Sequence, residues 1–229
     1  MEFSAEQYSR YNLQVSKMKH RTMVYYSFCP RQDRTPKDYK RYQKNIAEQI
    51  LKDGFREVFG ISYIQECVGL GVHGKPFWKG GEKFFFNVSN TAGLVVCALS
   101  DMEVGIDAEW IRTIRFPLVR RCCSDREIEY IMGRAGKRFS DAALDTQINQ
   151  ERFFQLWTLK ESYIKFTGEG MYFSMQKVAF SIQEANGSKE IVCNQPGYFG
   201  QKRLGNYWIS LCTREPSEVI WQEVTEKVN

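Results

Sequence analysis

Apolar side chains recur at helical spacing in two long segments of this chain, residues 42–59 and 151–166. A period near 3.6 residues places these side chains on one face, and so predicts an amphipathic helix in each segment. Glycines at positions 60 and 168 follow the segments and predict where the helices end. The apolar positions are Ile46, Ile50, Leu51, Phe55 and Val58 in the first segment and Phe153, Leu156, Trp157 and Ile164 in the second.

Short runs rich in β-branched and aromatic residues predict strands around these helices. Each half of the chain then contains a helix and antiparallel strands, which favours the α+β class. A basic turn region is expected over residues 30–40, a glycine-rich loop over 69–81 and a polar connection over 133–149. The predicted strands cover residues 23–28, 84–88, 94–99, 103–107, 178–182, 190–193 and 207–212.

The composition indicates a folded, mildly basic protein. The chain has 229 residues, of which 43% are hydrophobic and 14% aromatic, and its net charge is +5. This balance favours an anionic partner, and nucleic acid, an acidic protein and a polyphosphate ligand all remain open. No apolar stretch reaches the length of a membrane span.

Cysteine and histidine usage excludes several kinds of chemistry. The seven cysteines show no C-x-x-C spacing, which argues against a disulfide framework or a zinc site. Residues 1–6 lack the pattern of a signal peptide, so we expect a reducing cytoplasm. The two histidines supply little for a Ser-His pair or a histidine-based metal site.

Two charged motifs carry the candidate chemistry. Asp107 and Glu109 stand two apart on a predicted strand, so their carboxylates share a face. Lys160 and Glu161 fall within the apolar arc of the second helix, and Lys165 lies one turn beyond Glu161. Charges on such an arc need a partner or a metal, and three carboxylates with two lysines suit Mg²⁺ and a phosphorylated ligand. Each motif alone is also typical of a solvated strand face or a surface helix with an ion pair.

Together with other segments, these motifs resemble the signature of the 4′-phosphopantetheinyl transferases, and most closely the long, surfactin-synthetase-activating type. The matching segments lie in order between positions 74 and 170. They are Gly74-Lys75-Pro76, Phe86-Asn87-Val88-Ser89-Asn90-Thr91, Gly105-Ile106-Asp107-Ala108-Glu109, Cys123-Ser124-Asp125-Arg126-Glu127, Trp157-Thr158-Leu159-Lys160-Glu161 with Lys165, and Gly168-Glu169-Gly170.

The resemblance implies a fold and a reaction. Two similar subdomains, related by a pseudo-twofold axis, would hold the site between them, with the nucleotide side in residues 1–105 and the metal and catalytic motifs in 106–229. The enzyme would transfer the 4′-phosphopantetheine arm of coenzyme A to a serine of an apo carrier protein and release 3′,5′-ADP. Asp107, Glu109 and Glu161 would bind Mg²⁺, for which Mn²⁺ could substitute.

The same resemblance assigns the remaining catalytic residues. Lys165 would neutralise the pyrophosphate, with support from Lys160. Either Glu127 or Glu161 would accept the proton of the serine, and we favour Glu127 because a metal ligand is a poorer base. The residues also allow a structural role for Glu127, because Ser124 and Glu127 have the spacing of a helix capping box.

The coenzyme A contacts implied by the resemblance lie in the first half of the chain. Arg31, Lys44 and Lys75 would lie near the nucleotide, and Ser89, Asn90 and Thr91 would add hydrogen bonds. Asn90 occupies the position where the family usually has histidine. Asparagine donates a hydrogen bond but carries no charge, which puts the grip on the 3′-phosphate in doubt.

An acidic acyl or peptidyl carrier protein is the implied partner, and residues 111–121 are the expected docking segment. Basic side chains there would steer the carrier and apolar ones would bind it, although the apolar ones could instead belong to the core. We expect a monomer. The alternatives are a coenzyme A-binding relative without transfer activity and a basic nucleic-acid-binding module. The docking residues are Arg112, Arg115, Phe116, Leu118 and Arg120.

Overall fold

The computed structural model describes residues 20–80, 84–133, 144, 146–170, 173–185 and 188–225. The expectations for residues 1–6 and for most of the connection over 133–149 lie outside these ranges. No helix in the described ranges is long and apolar enough to cross a membrane. All seven cysteines lie within them and none forms a disulfide.

Eleven strands and four α-helices make up the described structure, which confirms the predicted α+β class. In chain order they are β1 (His20–Cys29), α1 (Pro36–Gly54), β2 (Val68–Leu70), β3 (Pro76–Trp78), β4 (Phe85–Thr91), β5 (Gly93–Ser100), β6 (Val104–Trp110), α2 (Phe116–Cys122), α3 (Asp125–Met132), α4 (Gln147–Thr167), β7 (Phe180–Ala185), β8 (Ser188–Cys193), β9 (Tyr198–Leu204), β10 (Tyr207–Thr213) and β11 (Ser217–Glu223).

The two long helices begin and end for local reasons. Thr35 caps α1 by accepting the backbone N–H of Asp38, and Pro36 occupies the first turn, so the helix starts six residues before the predicted 42. One π-helical turn, Phe55–Phe59, prolongs α1 up to Gly60. Gly168 ends α4 in the left-handed conformation, with φ 76°.

Seven of the eleven described strands form two main sheets, and the other four pair as β2-β3 and β7-β8. The predictions missed part of each main sheet. The first has the order β11-β1-β5-β4, and the second has the order β6-β10-β9. β1 pairs with β11 in parallel, whereas the other pairs are antiparallel. The last described strand therefore belongs to the sheet of the first, and the division at residue 105 remains a prediction. β9, β11 and α2 were not predicted, and β2 and β3 lie largely in the segment 69–81 that was expected to be a loop.

Three apolar cores arrange these elements in layers. One core packs α1 against the first sheet, through side chains such as Ile50 and Leu99. A second lies between the two sheets and includes Val24, Val96 and Ile106. The third packs the second sheet against α2, α3 and α4. The order is therefore helix, sheet, sheet, helices.

Side chains of β4 join the two sheets. Asn87, Ser89 and Thr91 accept the backbone N–H groups of Ile106, Ala108 and Trp110 at 2.9, 3.3 and 3.2 Å. Alternate residues of a strand share a face, so the three acceptors match the two-residue repeat of β6. We call this set of three hydrogen bonds the β4–β6 ladder. It satisfies backbone donors at the edge of β6 without a main-chain pairing.

Gly105 allows α4 to cross β6 at very short range. A Cβ atom at this position would overlap the backbone of Ser162 and Phe166. Because both obstructing groups are backbone atoms, a side chain here would displace the whole helix. The glycine of the G-I-D-A-E motif thus sets the separation between α4 and the strand that carries Asp107.

We expect Gly105→Ala to lower the free energy of unfolding by about 1–3 kcal/mol or more, the usual cost of overpacking. Chemical denaturation measures the loss. Gly200→Ala on β9 is the matched control, because a Cβ there meets no atom within 4 Å. Equal stability of the two variants would contradict the close approach.

Candidate active site

Two adjoining cavities lie where α4 crosses the edge of the sheets. The smaller one, of about 290 Å³, is lined by Asp107, Glu109, Glu161 and Lys165, together with residues of β4. The larger, of about 600 Å³, extends from Glu161 and Lys165 towards Lys75. Val88, Trp157, Glu161 and Lys165 line both cavities, which therefore adjoin. The two sequence motifs therefore converge on one space.

Asp107 has one occupied and one unoccupied carboxylate oxygen. Its Oδ1 accepts hydrogen bonds from Lys165 Nζ at 2.7 Å and from Ser89 Oγ at 3.0 Å. Among the described residues, Oδ2 finds no hydrogen-bond partner although it is buried. Burial raises the pKa of Asp107, and the Lys165 ammonium opposes that rise.

Glu109 is held from two sides. Its Oε2 accepts a hydrogen bond from Thr91 Oγ1 at 3.2 Å and forms an ion pair with the Arg112 guanidinium at 2.7 Å. The same guanidinium lies 4.7 Å from the centre of the Phe154 ring. Arg112 was predicted as a docking residue, and the structure places it within reach of a site carboxylate.

Glu161 faces the cavity without a hydrogen bond or an ion pair to any described residue. Burial and the nearby carboxylates of Asp107 and Glu109 raise the pKa of Glu161 to about 7, and Lys165 opposes the shift. Burial and the neighbouring carboxylates thus disfavour its ionised form, and the Lys165 ammonium offsets them only in part.

The donor set fits a hard divalent cation. An orphaned carboxylate oxygen on Asp107, the unpaired Glu161 and a neighbouring Glu109 all line one small cavity. The described ranges nowhere bring three His, Cys, Asp or Glu side chains into a ready-made cluster around one point. Mg²⁺ does not need a complete protein cage, because water and substrate phosphates fill part of its shell, so the arrangement is compatible with it.

Lys75 stands in the wall of the larger cavity. Its Nζ donates hydrogen bonds to Val104 O at 3.1 Å and to Phe166 O at 2.8 Å. Burial lowers the pKa of Lys75 to about 8. Two of its three donors are therefore committed to the backbone, and one remains for a ligand.

Glu127 and Lys160 form a fully buried ion pair of 2.9 Å, with side-chain exposures of 1% and 0%. Glu127 also accepts the backbone N–H groups of Ser124 and Phe180 and completes the capping box of α3. Lys160 donates to the carbonyl groups of Met175 and Val178. All three N–H donors of Lys160 are used in these contacts, which does not fit the expected contact with a pyrophosphate. A base with both oxygens occupied does not fit the role expected for Glu127 either.

The residues expected to bind the nucleotide occupy different environments. Arg31 and Lys44 are exposed. Asn90 donates to the Gln43 side chain of α1 at 3.2 Å, whereas the Ser89 and Thr91 hydroxyls bind the carboxylates of β6. Ser89 and Asn90 both line the small cavity, and the hydroxyls of Ser89 and Thr91 are engaged within the protein.

The expected docking segment is exposed and basic along one side. Arg112, Arg115 and Arg120 are exposed, whereas Phe116 and Leu118 are half-buried and pack against the third core. The apolar members therefore contribute to the fold as well as to the surface.

Trp157 and Asn87 line the cavities but were not predicted as site residues. Trp157 lies one helical turn before Glu161, and this spacing was the signal in the sequence that could have identified it.

Comparisons with known proteins find one superfamily. The family model of the 4′-phosphopantetheinyl transferase superfamily matches residues 103–212. The 4′-phosphopantetheinyl transferase psf-1 of Bacillus pumilus is 25% identical over 185 residues, which cover 78% of this chain and 74% of that protein. The 4′-phosphopantetheinyl transferase gsp of Aneurinibacillus migulanus is 31% identical over 57% of this chain, and Sfp of Bacillus subtilis is 28% identical over 48%.

These alignments span about half the length of the last two relatives, 50% and 44%. The holo-[acyl-carrier-protein] synthase of Thermotoga maritima aligns structurally over 48% of this chain with 16% identity and a TM-score of 0.35. Over residues 103–212 the chain is similar to the 4′-phosphopantetheinyl transferase superfamily, and the relatives it resembles are of the Sfp-like type.

We expect Glu127→Gln to reduce the free energy of unfolding by about 3–5 kcal/mol, because it leaves the Lys160 ammonium buried without a counter-charge. Lys160→Met should cost a similar amount. The double variant Glu127→Gln with Lys160→Met should lose less than the sum of the two, as measured by chemical denaturation. Additive losses would show that the pair is not coupled.

Replacement of Glu161 tests the electrostatic cost of the site. Its pKa is raised from 4.5 to about 7, so in wild type the unfolding free energy should fall as the pH rises through this interval. Glu161→Gln removes that loss. Without divalent cations, the variant should therefore melt at a higher temperature than wild type at pH 8, and the difference should shrink towards pH 4. A pH-independent difference would contradict the assignment.

Proposed function

We propose that this protein transfers the 4′-phosphopantetheine arm of coenzyme A to a serine of an apo carrier protein, with Mg²⁺ as cofactor. The observation that carries the proposal is one cavity lined by Asp107, Glu109, Glu161 and Lys165, in which one oxygen of Asp107 and the whole Glu161 carboxylate have no partner among the described residues. Similarity to the superfamily supports the reaction class, and the relatives named above carry this activity in their names.

In this proposal, Asp107, Glu109 and Glu161 hold Mg²⁺, which when bound neutralises and polarises the pyrophosphate of coenzyme A. Lys165 lies against Oδ1 of Asp107 and faces the cavity, so its ammonium can bind the same pyrophosphate as a compact charge. Lys75, with one donor left, borders the larger cavity and is placed to bind the substrate there.

The transfer forms a bond between the carrier serine Oγ and the phosphorus that bears the pantetheine arm. The bond from that phosphorus to the bridging oxygen breaks, and 3′,5′-ADP leaves with the electron pair. The serine proton must pass to a carboxylate, directly or through water. Glu161 is the better candidate because it borders the cavity, whereas Glu127 is buried in its pair with Lys160.

The nucleotide contacts remain proposals. The larger cavity supports Lys75 as a contact, and the exposed Lys44 and Arg31 supply cations on the side of α1. Asn90 borders the smaller cavity and uses its amide to contact Gln43, so it offers a neutral group to the ligand.

We expect wild-type protein, coenzyme A, Mg²⁺ and an apo carrier domain to yield a carrier that is heavier by one phosphopantetheine group, as measured by mass spectrometry. Asp107→Asn and Glu161→Gln should lower turnover by about 10²-fold or more, on the scale of a lost general base. Glu190→Gln, an exposed carboxylate on β8, is the control and should be fully active. Transfer that persists in excess chelator would overturn the metal role.

Glu127→Gln separates the two candidate bases in the same assay. If Glu161 takes the proton, turnover per folded molecule of Glu127→Gln should change little at a temperature where the variant is folded. A loss of about 10²-fold in a folded Glu127→Gln would restore Glu127 as the base.

We further propose that an acidic carrier docks on the exposed arginines near α2. Arg115→Glu with Arg120→Glu should raise the KM for the carrier, spare the KM for coenzyme A and show a larger defect at low salt, where charge repulsion reaches further. Lys37→Glu with Arg56→Glu, both exposed on other surfaces, is the control. Equal carrier kinetics in both double variants would move the docking surface elsewhere.

A further inference from the structure

The hydroxyl of Ser89 is saturated by protein groups. It accepts hydrogen bonds from the backbone N–H of Ala108 at 3.3 Å and from Lys165 Nζ at 2.8 Å. Both partners can only donate, and they use both lone pairs of the hydroxyl. Its single hydrogen must therefore point to Oδ1 of Asp107, which lies 3.0 Å away. The direction of the Ser89 O–H bond is fixed by the fold.

The same arrangement recurs two residues along. Thr91 Oγ1 accepts the backbone N–H of Trp110 and donates to Oε2 of Glu109, both at 3.2 Å. In each case a β4 hydroxyl binds the N–H that follows a carboxylate residue of β6, and directs its hydrogen to that carboxylate. Asn87 makes the first contact of the β4–β6 ladder but has no carboxylate beside it, because Ile106 and Gly105 are apolar.

We infer that Ser89 and Thr91 are positioning residues that select one oxygen of each β6 carboxylate for the cation, rather than contacts of coenzyme A. On Asp107 the ammonium and the hydroxyl occupy Oδ1, which leaves Oδ2 as the acceptor. On Glu109 the guanidinium and the hydroxyl occupy Oε2, which leaves Oε1. This inference rests on the proposed metal role of the site.

Two consequences separate positioning from ligand binding. A residue that orients a metal ligand affects metal affinity, typically by about 10–100-fold. A residue that contacts the nucleotide changes instead the KM for coenzyme A at saturating metal. Because both hydroxyls are already committed to the protein, the first effect should dominate.

The test measures Mn²⁺ binding by electron paramagnetic resonance in the absence of substrate, for wild type, Ser89→Ala and Thr91→Val. We expect the dissociation constant for Mn²⁺ to rise about 10-fold or more in each variant, by the cost of lost metal-orienting contacts. Thr91→Ser keeps the hydroxyl and should restore binding. Asn87→Ala disrupts the ladder without touching a carboxylate, so it should change stability while its folded form binds Mn²⁺ as wild type does.

Kinetics complete the test. At saturating Mg²⁺, Ser89→Ala should recover turnover and keep the wild-type KM for coenzyme A. Unchanged Mn²⁺ affinity with a raised KM for coenzyme A would overturn the inference and leave the proposed function standing. Equal loss of Mn²⁺ affinity in Asn87→Ala would also overturn it, because the effect would then come from disruption of the β4–β6 ladder and not from the carboxylates. A wild-type protein that binds no Mn²⁺ would remove the proposed metal and this inference together.

Discussion

The β4–β6 ladder is the contact on which the rest of this site depends. Three polar side chains of β4 replace main-chain acceptors for β6, and so add hydrogen bonds at one edge of two sheets whose shared core is apolar. The join fixes the register of β6, and a two-residue period then places Asp107 and Glu109 on the face towards α4. Because two ladder members are hydroxyls, the contact that sets the register also orients both carboxylates.

The approach of α4 supplies the other half of the site at an electrostatic cost. Gly105 lets the helix backbone come close to β6, which brings Glu161 and Lys165 to the carboxylates of the strand. Burial then raises the pKa of both Asp107 and Glu161. The folded protein neutralises this negative charge only in part, and a divalent cation binds favourably to such a site. The same carboxylates therefore lower the stability of the folded protein without the cation and favour the proposed binding of the cation.

Sequence periodicity placed each charged motif on one face of its element, and the resemblance implied that the motifs meet in one site, but neither indicated the partner of each charge. The helical period of 151–166 placed Lys160 and Glu161 on the core-facing arc, where each needed a counter-group. Lys160 finds Glu127, which lies on another helix, and no local pattern reports such a pairing. The parallel pairing of β11 with β1 escaped prediction for the same reason, since it joins opposite ends of the chain. Hydroxyls expected to bind ligand were instead committed to protein carboxylates.

The adjacent Lys160 and Glu161 show how one motif serves both fold and chemistry. Successive residues of an α-helix project about 100° apart, so one side chain can enter the core while its neighbour faces the cavity. Lys160 is wholly buried and ties α4 to α3 and to the backbone at Met175 and Val178. Met175 also lines the larger cavity, so this tie holds part of the cavity wall. Glu161 is then free to carry the chemistry, because its neighbour has secured the helix that presents it.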